Sequence, residues 1–173
     1  MIPAAPKPDG LTTDRILGID PGLQRTGYSL IERTARGPIL REGGVVRSEK
    51  AGSLARRVHE IASGVSEVLD EFRPQAVAIE QVFSLGRNPK TALLMAHARG
   101  AILAAVAQRE ILIVHFTPRQ IKRLLTGSGK ASKDQVQRAI QREFALDRLL
   151  EPNDVADASA VALCLYYNVR FAA

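Results

Sequence analysis

Four acids stand out in this sequence because of where they fall. Asp20 closes the apolar run that begins at Arg15, and Glu80 closes Ala76-Val-Ala-Ile. Each therefore sits where a short buried strand hands the chain over to a turn. Asp154 and Asp157 lie near the start of an apolar periodic segment, and their i,i+3 spacing projects both from one face of a helix. Carboxylates are hard oxygen donors of the kind that Mg2+ and Mn2+ prefer. Two such ions about 3.5–4 Å apart activate a water and stabilise the departing 3′-oxygen during in-line attack on a phosphodiester. Without cations, four gathered acids repel one another and reject a phosphate. Singly, the same residues have plainer explanations. An acid at a strand end is commonly a turn residue, and one in a first helical turn complements the helix dipole. Spacing along the chain does not say whether the four meet.

The elements that must bring them together are legible in outline. Arg15–Asp20, Thr26–Ile31 and Ile39–Val46 read as three strands, separated by the turns at Pro21-Gly22 and Gly37-Pro38. The period then changes. Leu54, Val58, Ile61, Val65, Val68, Leu69 and Phe72 mark one face of a helix that Pro74 stops. Ala76–Glu80 is a brief strand, Thr91–Arg109 a long helix and Ile111–Val114 another strand. Thr117-Pro118 opens a helix, Ser132-Lys-Asp-Gln135 resembles a capping box, and Pro152-Asn153 opens a last helix through Leu165. Helices between the later strands require crossovers, so those strands should be parallel and covered on both faces. The expectation is an α/β domain with a mixed five-stranded sheet, three antiparallel strands then parallel ones, flanked by helices. That order is the order of the ribonuclease H-like fold.

Charge adds a partner class. The formal net charge is +6, with a pI near 9.9. Between Pro118 and Arg142 lie Arg119, Lys122, Arg123, Lys130, Lys133, Arg138 and Arg142, opposed only by Asp134, so this segment carries the whole excess. Such a block suits a polyanion, because phosphates bind Lys and Arg with release of counterions; a solvated helix surface explains it equally well. The chain length fits one domain, expected over residues 15–173, with the Pro- and Ala-rich residues 1–14 as a disordered extension lacking the apolar core of a signal peptide. No apolar run is read as approaching the roughly 18 residues of a membrane span, and the lone Cys164 reads as core filling. A soluble cytoplasmic protein is expected.

Leu17-Gly-Ile-Asp-Pro-Gly22 with Thr26-Gly-Tyr28 resembles the opening motif of the RuvC family of Holliday junction resolvases. Ala78-Ile-Glu-Gln-Val-Phe83, Ala98-Arg-Gly100, Arg119-Gln-Ile-Lys122, Gly127-Ser-Gly129 and Asp154-Val-Ala-Asp-Ala158 continue that resemblance in order, from about Ile16 to about Asn168. The resemblance implies a crossover junction endodeoxyribonuclease that makes paired symmetric nicks in four-way junction DNA. Asp20, Glu80, Asp154 and Asp157 fall at the family's positions for ligands to Mg2+ or Mn2+, with two ions per site. Lys122 and Lys133 fall where its lysines contact the junction near the cut. Phe83 falls where an aromatic stacks on unpaired bases. Arg87, Lys90, Arg119, Arg123 and Lys130 are further candidates for DNA phosphates. The family also implies a homodimer, an association with the RuvA-RuvB branch-migration complex and a place at the nucleoid.

The small residues Ala92, Ala96, Gly100 and Ala104 form a ladder on the long helix, suited either to packing on the parent sheet or to a twofold interface. Two competing readings carry different chemistry. In an actin- or sugar-kinase-like phosphotransferase, Asp20-Pro-Gly22 and Thr26-Gly27 are a phosphate hairpin, but two lobes and a second hairpin are then needed. A noncatalytic junction-binding module needs at least one of the four acids to be missing, and all four are present. Gly127-Ser-Gly-Lys130 is no P-loop, since Leu124 and Ala131 stand at positions that need Gly and Ser or Thr. His59, His97 and His115 have no ligand spacing and are read as structural or surface residues.

Overall fold

A computed structural model describes residues 14–81 and 89–170. The chain starts as an antiparallel meander of β1 (Arg15–Asp20), β2 (Arg25–Thr34) and β3 (Gly37–Arg47). Its first turn is tied by Thr26, whose hydroxyl donates to the Gly22 carbonyl at 2.8 Å and accepts from the Gly22 N–H at 3.2 Å. Helix α1 (Leu54–Phe72) begins on the Ser53 cap and ends at Arg73 in the left-handed region, just before Pro74. Strand β4 (Ala76–Glu80) runs parallel to β1, and β5 (Leu112–Phe116) runs parallel to β4, with α2 (Pro89–Ala107) between them. Three helices follow: α3 (Pro118–Thr126), α4 (Lys133–Glu143) and α5 (Asn153–Arg170). The hydroxyl cap read at Thr117 and the capping box read at Ser132 are both formed, and Thr117 makes a full capping box with Gln120. The sheet order is β3-β2-β1-β4-β5, the mixed arrangement expected.

Strand alternation divides the sheet into two cores. Leu17, Ile19, Leu30, Val77 and Ile79 pack with α1 and α2 on one face. Ile16, Ile31, Ala76 and Ala78 pack with α3, α4 and α5 on the other. Helix α5 is buried almost all round from Val155 to Tyr166, including Cys164. It lies unusually close to the sheet. A Cβ on Gly18 would stand 2.0 Å from the Ala158 carbonyl oxygen, and one on Gly27 would stand 2.1 Å from that of Asp154. Ser159 then donates to Ser29 at 2.7 Å inside this contact.

Several boundaries moved. Strand β5 continues through His115 to Phe116 because pairing with β4 continues to Glu80, so backbone partners override the polar side chain. Helix α5 runs to Arg170, past Leu165. The reading that no apolar stretch approaches a membrane span needs correction: α2 has the length and average apolarity of one. Its Ala98, Ile102, Ala105 and Val106 are buried in the core beside α1, as in the flanking helix of a folded domain. The ladder on α2 does not pack on its own sheet. Ala96, Gly100 and Ala104 are exposed, and a Cβ on Gly100 would meet nothing within 4 Å.

Candidate active site

The register of β1 and β4 brings the first two acids together. Ile19 pairs with Ile79, so one residue further on Asp20 and Glu80 stand at the ends of neighbouring parallel strands. The alternation that sends Ile19 and Ile79 towards α1 and α2 sends both acids to the opposite face. The N-terminal turn of α5 comes down over this edge, carried close by Gly27, and brings Asp154 and Asp157. Lys133 stands at the start of α4 and Lys122 on α3. A cavity of about 240 Å3 is lined by Glu80, Pro118, Ile121, Lys122, Lys133, Val136, Asp157 and Ala160.

The electrostatics follow from that crowding. Burial pushes the Asp20 carboxyl up to about 7, and Glu80, Asp157 and Asp154 add to the rise while Lys133 opposes it. Burial also lifts Glu80 to about 7, helped by Asp157 and opposed by Lys122 and Lys133. The outer two acids are differently placed, each held by a cation. Asp157 accepts from Lys133 Nζ at 2.8 Å, a bond that raises the lysine's pKa. Asp154 Oδ2 accepts from an Arg25 terminal nitrogen at 2.5 Å. As they stand, no three carboxylates among the described residues are drawn tightly enough to enclose an ion. The donor set still suits a hard divalent cation, being all oxygen, with two inner acids whose charge burial opposes.

The other expected site residues divide by location. Lys122 and Lys133 line the cavity. Arg119, Arg123 and Lys130 are exposed around α3 and its exit, outside that lining, and Lys90 is exposed in the first turn of α2. Phe83 and Arg87 lie outside the described residues, as does nearly all of the expected extension 1–14. Two arginines at the site escaped the sequence reading. Arg25 is the partner of Asp154. Arg99 donates from Nε to the Glu80 carbonyl at 3.2 Å and from a terminal nitrogen to Nδ1 of His115 at 2.9 Å, which leaves the imidazole proton on Nε2. A lone charge inside the Ala- and Leu-rich α2 is a sequence signal for Arg99. The signal for Arg25 is weaker: it shares a strand face with Gly27, and only the fold puts α5 over that face.

Acids at the ends of two adjacent parallel strands, beneath acids at the start of a closing helix, define a ribonuclease H-like domain built for metal-dependent chemistry on phosphodiesters. The family model for the crossover junction endodeoxyribonuclease RuvC matches residues 16–165. The chain belongs to the RuvC family of crossover junction endodeoxyribonucleases. It is 44% identical to the enzyme of that name from Rhodopirellula baltica over 152 residues, which cover 88% of this chain and 85% of that one. Thermus thermophilus RuvC superposes with a TM-score of 0.82 at 32% identity, over 91% of this chain and 96% of the other. The same protein in complex with a Holliday junction substrate gives 0.83 at 32% identity, over 91% and 95%. This membership does not favour the phosphotransferase alternative.

Proposed function

We propose that this protein is a structure-selective endonuclease that resolves Holliday junctions in recombination and repair by paired symmetric nicks, with water as nucleophile. The observation that carries the reading is the adjacency of Asp20 and Glu80 at two strand ends beneath Asp154 and Asp157, inside a family match spanning residues 16–165. The test offers a synthetic four-way junction and a linear duplex, each with and without Mg2+ or Mn2+. Symmetric nicking of the junction alone, and only with metal, is expected; equal cutting of the duplex would refute structure selectivity.

In this reading Asp20, Glu80, Asp154 and Asp157 hold two divalent ions, Mg2+ or Mn2+. Bound there, the ions supply Lewis acidity that activates a water and offsets charge on the departing 3′-oxygen. Lys122 and Lys133, which line the same cavity as Glu80, neutralise charge that builds on the phosphate in the transition state. The pairing of Lys133 with Asp157 gives that lysine a fixed starting position. Arg119, Arg123, Lys130 and Lys90 anchor the arms through phosphates, and Phe83 and Arg87 serve the crossover. The exposed ladder of Ala96, Gly100 and Ala104, with Leu93 beside it at 64% exposure, forms the twofold contact of a homodimer. Two sites related by that axis match two symmetric cuts. The enzyme works in the cytoplasm at the nucleoid, with the RuvA-RuvB complex as its partner in branch migration.

A further inference from the structure

Arg25 opens β2 on the face that looks towards α5. The next two residues on that face are Gly27, which meets the Asp154 backbone, and Ser29, which accepts from Ser159. The arginine therefore sits under the first turn of α5, with its guanidinium 2.5 Å from Asp154 Oδ2. The two side chains are 39% and 26% exposed, so the pair lies at the mouth of the site. A guanidinium facing a carboxylate commonly uses two N–H groups as a fork. Here a single terminal nitrogen makes the contact. Nε of Arg25 is buried without a hydrogen-bond partner, and among the described residues it is the one buried side-chain N or O in that condition. The contact directs Asp154 but leaves the arginine incompletely satisfied.

We propose that Arg25 is an internal counter-cation for Asp154, which a divalent ion must displace before that carboxylate turns to join Asp20. The proposal rests on the reading of the acids as metal ligands. Two effects act in the same direction. Arg25 occupies one of the two carboxylate oxygens of Asp154, and its charge repels an ion arriving beside it. The site consequently binds metal more weakly than its acids alone would. Once displaced, the guanidinium is free at the mouth, where its donors suit a DNA phosphate. A phosphate that draws Arg25 away opens Asp154 to the ion, so metal and DNA load each other.

The test is calorimetric titration of Mn2+ into the DNA-free protein, comparing wild type with Arg25→Gln and Arg25→Lys. Roughly three- to tenfold tighter binding is expected for Arg25→Gln, with Arg25→Lys in between. A merely structural role for Arg25 gives the opposite sign, because a loosened Asp154 binds metal less well. Unchanged or weaker Mn2+ affinity in a folded Arg25→Gln protein, beside measurable binding by wild type, would overturn this proposal alone. No Mn2+ uptake by wild type would overturn the metal-ligand reading and this proposal with it. A second measurement needs no folded variant: the Arg25 Nε–H resonance of wild type is followed during Mg2+ titration. A saturating shift is expected, and a resonance that stays still while Mg2+ binds would refute displacement.

Discussion

Asp20 and Glu80 lie side by side with two further carboxylates in view, and burial opposes the charge of both. A folded-state pKa of about 7 for Asp20, against an ordinary 3.8, has a definite sign for stability. Its contribution is fully present below pH 4 and is lost as pH rises to about 7, because the unfolded chain gives up that proton more easily. Asp20→Asn removes this burden. In EDTA the variant is expected to melt above wild type at pH 8, by on the order of 1–3 kcal/mol, with the difference closing near pH 4. Thermal melts across that range check this, and a variant less stable at pH 8 would contradict it. The same substitution is expected to slow junction cleavage by at least about 100-fold while junction binding in a gel-shift assay persists. Normal nicking would remove Asp20 from the mechanism. Lys133→Gln is expected to slow cleavage more than it weakens binding, and an equal loss in both would mark the lysine as a plain phosphate anchor.

At the scale of elements, the decisive contact is α5 on the sheet. Gly18 and Gly27 are required there by space, since a methyl group at either would collide with a carbonyl oxygen of α5. The two collisions have different consequences. Gly18→Ala pushes on the middle of the helix at Ala158 and Ala162, and an overpacking cost of about 1–3 kcal/mol is expected as a lower melting temperature. Gly27→Ala pushes on Asp154 itself. It is expected to weaken Mn2+ binding more than Gly18→Ala does, even where the two lose similar stability. Titration of both variants with Mn2+ decides it, and equal affinities would show that the seat of Asp154 is not set by Gly27.

At the scale of the molecule, the sheet separates two surfaces. Helices α3 and α4 carry the basic block on the side of the acids, whereas α1 covers the other side with Glu60 and, towards its end, Glu67, Asp70 and Glu71. Junction affinity is therefore expected to fall steeply with salt, in proportion to the phosphates contacted. Gly100→Arg probes the remaining exposed face. Its side chain enters open space, so the fold of the protomer is expected to survive. Sedimentation is expected to show a dimer for wild type and a monomer for the variant, and the two nicks of a junction are expected to lose their coupling. A monomeric wild type would refute the twofold contact.

The local elements were largely legible because local chemistry dictates them. The alternation of Arg15–Asp20, the helical period from Leu54 to Phe72 and the Thr117 and Ser132 caps all act within a few residues. The motifs also named the family, since the order of short motifs survives without any coordinates. The end of β5 moved because a partner far along the chain, β4, decides where pairing stops, whereas α5 continues past the buried Tyr166 to Arg170. The fate of the ladder on α2 also depended on which face of that helix met the core. The cations at the site belong to the same class. Arg25 and Asp154 are 129 positions apart, and they meet because a glycine lets a buried helix rest on a strand. Sequence spacing holds no record of such a distance; packing sets it.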